Sequence, residues 1–180
     1  MEQTTSELLA QDHEKLAALL EGLHAKLSEH DAQRSLELLD LFWARLAMHI
    51  RAENVYLFPA VLNAVSLHNA GIMPAIDKAT SVIESLRNDH NFFMDQLSQA
   101  IKTMREMISG AEKDTQTAGR FELIRSRVNA VTARLEAHNE LEEEQVYTWP
   151  ALMLSQPQRE NLRAALKREL ENLPPRFGKS

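Results

Sequence analysis

Four long stretches of this sequence repeat their apolar residues at the three-and-four spacing of an α-helix, and each carries a histidine within that apolar face. The first runs over residues 6–29, with Leu9, His13, Leu16, Leu20, His24 and Leu27 on one side. The second follows Asp31 and runs to about residue 65. Its inner face reads Leu38, Phe42, Arg45, His49, Glu53 and Tyr56, and Pro59 should kink it or end its regular part. The third spans residues 75–109, with Ile83, Leu86, His90, Phe93, Leu97, Ile101 and Met104 in register and Gly110 placed to stop it. The fourth spans residues 120–149, with Phe121, Ile124, Val128, Val131, Leu135, His138, Glu142 and Gln145 facing in. Asn69, Gly71 and Pro74 mark residues 67–74 as a loop, and residues 111–119 read as a polar linker. No stretch alternates at period two. The expectation is an all-α fold: an antiparallel up-down four-helix bundle over residues 1–154, with a short C-terminal helical extension over 155–180.

The two halves resemble each other. QDHEKL in the first is answered by NDHNFF in the second. Each is followed by a helix bearing His-x-x-x-Glu, namely His49 to Glu53 and His138 to Glu142, with an aromatic nine residues after that histidine, Phe58 and Tyr147. An imperfect repeat of two hairpins predicts approximate two-fold symmetry.

Residues four apart on a helix share a face, so His-x-x-x-Glu can aim an imidazole and a carboxylate at one point. One such pair is weak evidence. The informative feature is that four predicted helices place His13, His49, His90 and His138 in apolar stripes, while two add Glu53 and Glu142 one turn later. Burying these groups unpaired costs several kcal/mol per charge, roughly, and a shared pair of dications would offset it. The chain has no cysteine, which excludes disulfides, iron–sulfur clusters and cysteine–zinc sites. Four nitrogens and two carboxylates suit iron or manganese better than structural zinc. By symmetry each of two metals would take two histidines and one oxygen from each bridging glutamate. With an oxo or hydroxo bridge, one octahedral position stays open for dioxygen, peroxide or nitric oxide.

The pattern His, His-x-x-x-Glu, His, His-x-x-x-Glu resembles the hemerythrin-like, or HHE cation-binding, family from His13 to Tyr147. The resemblance implies two iron ions of the Fe–O–Fe type, for which manganese or zinc can substitute, with Glu53 and Glu142 bridging and four terminal histidines. Oxygen-carrying hemerythrins have a His-x-x-x-His on the third helix, where this chain has Met94, and end on an Asp bridge, where it has Glu142. The ligand set is closer to the branch that includes repair-of-iron-centres and catalase-like proteins. The implied function is binding or reacting with dioxygen, peroxide or nitric oxide, in oxidative or nitrosative stress or in iron handling. The alternative is a metal-dependent sensor or interaction module without turnover.

Tyr56, three after Glu53, is a candidate hydrogen-bond donor near the open position, and otherwise a core aromatic. Tyr147, five past Glu142, should rotate away and serve packing. His24 is a candidate support for the centre from the same stripe as His13. His30 and His68 read as surface residues. Asp12 and Asp89 either hydrogen-bond a ligand on the adjacent helix or face solvent. Arg45 either pairs with a carboxylate near the mouth of the site or extends outward.

A net charge of -6 without a basic stripe argues against nucleic-acid partners. No apolar run is long enough to span a membrane, and the N-terminus lacks the basic start and apolar region of a secretory signal, so a cytoplasmic location is expected. The charged C-terminal segment could cap the bundle, contact a second copy in a homodimer, or bind a partner.

Overall fold

The computed structural model describes residues 3–67, 74–110 and 117–177. His68, most of the loop expected at 67–74 and most of the linker expected at 111–119 lie outside them. Among the described residues the chain is helical, without strands. The helices are α1 Thr5–Ser28, α2 Ala32–Ala52, α3 Phe58–Leu67, α4 Ile76–Ile108, α5 Thr117–Glu144, α6 Trp149–Met153 and α7 Gln156–Leu170. None is long and apolar enough to cross a membrane.

Local chemistry sets the ends. Thr4 caps α1 by accepting from the Glu7 backbone N–H, while the Glu7 carboxylate accepts from the Thr4 backbone N–H. Asp31 caps α2 through the Arg34 backbone N–H. Beyond α4 the chain turns at Gly110, whose φ of 69° is a left-handed conformation that glycine enters without a side-chain clash.

Two prolines are handled differently. Pro59 has no N–H, and its ring crowds the carbonyl four residues back. Immediately before it, α2 widens into a π-helical turn over Glu53–Leu57, closed by the Phe58 N–H donating to the Glu53 carbonyl, and then α3 continues. Ahead of Pro150 the chain breaks instead. α5 ends at Glu144, five residues earlier than its apolar pattern suggested, and a 3-10 turn over Val146–Thr148 leads into α6.

The four long helices close a ring in which α1 packs on α2, α2 on α4, α4 on α5, and α5 on α1. α7 packs across α1, α2 and the π turn. Its Leu162, Leu166 and Leu170 are buried and Arg51 pairs with Glu169 at 2.6 Å. The apolar core is split in two. One part gathers Leu16, Leu23, Phe42, Phe93, Leu97, Ile124 and Val128. The other gathers Leu9, Leu57, Phe58, Ile83, Leu86, Trp149 and Leu166. Fully burying each such side chain stabilises the fold by about 1.5–3 kcal/mol. Trp43, Phe92 and Met94 pack against the first part and are only partly buried.

Candidate metal centre

A layer of polar side chains lies among these apolar residues. His13 comes from α1, His49 from the end of α2, Glu53 from the start of the π turn, His90 from α4, and His138 and Glu142 from α5. All six are at most 5% exposed, and both glutamates are fully buried. They form two overlapping groups, His13, His49, Glu53 and Glu142, and Glu53, His90, His138 and Glu142. Within each group the donor atoms lie within 4.8 Å of one another. Both glutamates belong to both groups.

The imidazoles are aimed. His49 Nδ1 lies 3.0 Å from Asp12 Oδ2, and His138 Nδ1 lies 3.1 Å from Asp89 Oδ2. His13 Nδ1 lies 2.7 Å from Glu143 Oε1. In these three rings the carboxylate accepts the Nδ1 proton and leaves Nε2 as a lone pair facing inward. His90 Nδ1 meets the Asn54 side-chain nitrogen at 3.2 Å, while the Asn54 oxygen accepts from Arg87 Nε at 3.2 Å. Arg87 holds the Asn54 oxygen away from the ring, so His90 alone of the four histidines has no carboxylate at Nδ1. Arg45 donates to Asp12 at 3.1 Å and Arg134 to Asp89 at 2.6 Å, so each half carries an Arg–Asp–His chain. Asp12 is buried, and although burial opposes its charge, hydrogen bonding to His49 and the charges of His49 and Arg45 hold its carboxyl below the ordinary range.

The arrangement fits cations. His13 and His49 Nε2 stand 3.1 Å apart, and His90 and His138 Nε2 3.2 Å apart. Two lone pairs that close repel unless a proton or a metal lies between them. Glu53 Oε2 and Glu142 Oε1 are buried without a hydrogen-bond partner of good geometry. Their nearest neighbours are the His90 Nε2 at 3.3 Å and the His138 Nε2 at 3.1 Å, respectively. Without a metal, protons must do the neutralising. Burial opposes a charged His90, but Glu142 and Glu53 outweigh it and raise its pKa to about 9. His49 is raised well above its ordinary value, because Glu53 and Asp12 outweigh burial. Glu142 is held well below its ordinary value, its burial being overcome by His13, His138 and His90.

Tyr147 reaches the centre, against expectation. Its hydroxyl donates to Glu53 Oε1 at 2.6 Å and Glu142 Oε2 at 3.1 Å, and lies 2.9 Å from His13 Nε2 and 3.3 Å from His49 Nε2. On a continuous helix it would have rotated away. The break at Gln145, with φ of -119° and ψ of -69°, turns it back inward. Burial and the charges of Glu142 and Glu53 push its phenol well above the ordinary tyrosine value. Its ring also lines a cavity of about 700 Å³ bounded by Thr4, Pro150, Leu152, Arg159 and Arg163.

Tyr56 is placed elsewhere. The π turn fits an extra residue into one turn, so Tyr56 falls short of the inner face and packs, partly buried, against the second core in an outer cleft beside Val55, Ala60 and Leu162. His24 does not support the centre either. It lies eleven residues along α1 from His13, about 16 Å away at 1.5 Å per residue, and its Nε2 meets Thr132 Oγ1 at 2.8 Å. His30 is exposed and its ring meets the edge of Phe121. Asp12, Asp89, Asn54 and Glu143 are the contacts that the sequence reading left open or missed. The repeated Asp-His doublet was the available signal for the first two.

Helical architecture and a buried histidine–carboxylate layer define a protein built to hold cations. The chain belongs to the hemerythrin family: residues 4–150 match the model of the hemerythrin HHE cation-binding domain. No match was found among curated proteins or among solved structures.

Proposed function

We propose that this chain holds two iron ions through His13, His49, Glu53, His90, His138 and Glu142, with both glutamates shared, and that the centre binds or reacts with dioxygen, peroxide or nitric oxide. The observation that carries the reading is the pair of four-donor groups joined by two common carboxylates. Iron would supply a change of redox state and a position for a small ligand; manganese or zinc could occupy the same donors. The protein's own part is orientation and exclusion of water. Asp12, Asp89 and Glu143 hold the Nδ1 protons so that Nε2 faces inward. The apolar cores keep bulk water from the carboxylates. Oxidative or nitrosative stress, or iron handling, in the cytoplasm is the setting that suits such a centre.

We also read the long helices as an antiparallel up-down bundle, because only residues 29–31 join α1 to α2, too few for a parallel crossover. Residues 1–154 then form the metal-binding unit and 155–180 its extension.

A second reading is a metal-dependent sensor. It is favoured by the packing of α7 on the π turn that begins at Glu53. Metal occupancy would then be felt at the α7 surface, where a partner protein or a second copy of the chain could read it.

The test is metal analysis of the purified chain with absorption spectra before and after peroxide or nitric oxide. Two irons per chain with charge-transfer bands that change on addition support the first reading. Iron without any spectral change favours the sensor, and a colourless, iron-free protein rejects both.

A further inference from the structure

Tyr147 relates to the first donor group in a particular way. Its oxygen is within 2.6–3.3 Å of four atoms at once: Glu53 Oε1, His13 Nε2, Glu142 Oε2 and His49 Nε2. Those four are themselves spaced as neighbours, with His13 to His49 at 3.1 Å, His49 to Glu53 at 3.3 Å and His13 to Glu142 at 3.4 Å. Around one metal with bonds of about 2.0–2.2 Å, donors at right angles lie about 2.8–3.1 Å apart. A donor at that spacing from all four of the others can bind the same ion that they do.

The second group is built differently. His90 to His138 is 3.2 Å, His138 to Glu142 3.1 Å and His90 to Glu53 3.3 Å, so its donors have the same spacing. At the position matching Tyr147 in the repeat stands Phe58, whose ring stacks on His90 with centroids 5.9 Å apart and planes 6° from parallel. A hydrocarbon ring offers no donor.

Resting on the two-metal reading, we propose that Tyr147 is a seventh metal ligand, binding through its phenol oxygen to the ion held by His13 and His49. The oxygen–metal bond forms as the phenol proton leaves to solvent, with no change of oxidation state. The centre is therefore asymmetric: five protein donors surround the first ion and four the second. The open position falls on the ion beside His90 and His138.

The chain has two tyrosines, which makes the test clean. The full chain is loaded with ferric iron, and its iron content, visible absorption and resonance Raman spectrum are compared with those of Tyr147→Phe and Tyr56→Phe. The proposal expects phenolate-to-iron charge transfer, with its ring vibrations, in the parent chain and in Tyr56→Phe. It expects the signal to vanish in Tyr147→Phe while two irons per chain remain. Two irons without phenolate vibrations in the parent chain would overturn the ligand assignment alone, as would their survival in Tyr147→Phe. A parent chain that binds no iron would overturn the two-metal reading beneath it.

Discussion

The half of the centre carried by α1 and α2 and the half carried by α4 and α5 follow one plan up to the glutamate and then part. Each half has an Arg–Asp–His chain and a His-x-x-x-Glu. After the glutamate, one half meets Pro59 by widening its helix, and the other meets Pro150 by breaking it. The widened turn lays Phe58 flat on His90, whereas the break sends the Tyr147 hydroxyl among His13, His49 and the glutamates. Equivalent positions in a repeat thus acquire different chemistry from how the backbone accommodates a missing N–H.

The largest effect should come from removing what the halves share. Glu142→Ala takes a donor from both groups, so both metal ions should be lost on desalting, whereas His138→Ala should leave the first ion bound. Metal-to-chain ratios distinguish the two; one fully occupied ion in Glu142→Ala would show that the carboxylates are not shared. A smaller effect is expected from the aspartates that orient one histidine in each half. Asp12→Asn and Asp89→Asn should each weaken one ion by about 10–100-fold in chelator competition. The loss should be larger at Asp12, whose side chain is 5% exposed against 14% for Asp89. Equal losses at both ions from either change would contradict separate half-sites.

The mildest test uses pH on metal-free protein. His90 binds its proton more tightly folded than unfolded, so its contribution is complete below the usual histidine value of about 6.5. That contribution is lost as pH rises through about 9. His49 in the other half shifts in the same direction. Glu142 has the opposite sign: its contribution is present above the ordinary carboxylate value of 4.5 and is lost on acidification. Melting temperature should therefore peak between about pH 5 and 6.5 and fall on both sides. Metal loading displaces the histidine protons and should extend the plateau to alkaline pH.

Much of this was legible in the sequence because it depends on a fixed angle per residue. His13, His49, His90 and His138 each sit in an apolar stripe, and Glu53 and Glu142 follow one turn later; the structure gathers those six side chains. What escaped depends on where regular helix fails. Tyr56 was weighed as a neighbour of the centre or a core aromatic and Tyr147 as packing; a π turn leaves Tyr56 against the second core, and a helix break brings Tyr147 to the centre. His24 shares a stripe with His13, but distance along the helix separates them. Contacts across helices, such as Asn54 with His90 and Glu143 with His13, follow from packing, which periodicity does not report.

Whether two ions share Glu53 and Glu142 can be read from X-ray absorption at the metal edge of the loaded chain. A shared pair should give nitrogen and oxygen scatterers together with a metal–metal distance of about 3.5–4 Å or less. A single isolated ion, with no second metal in that range, would contradict it.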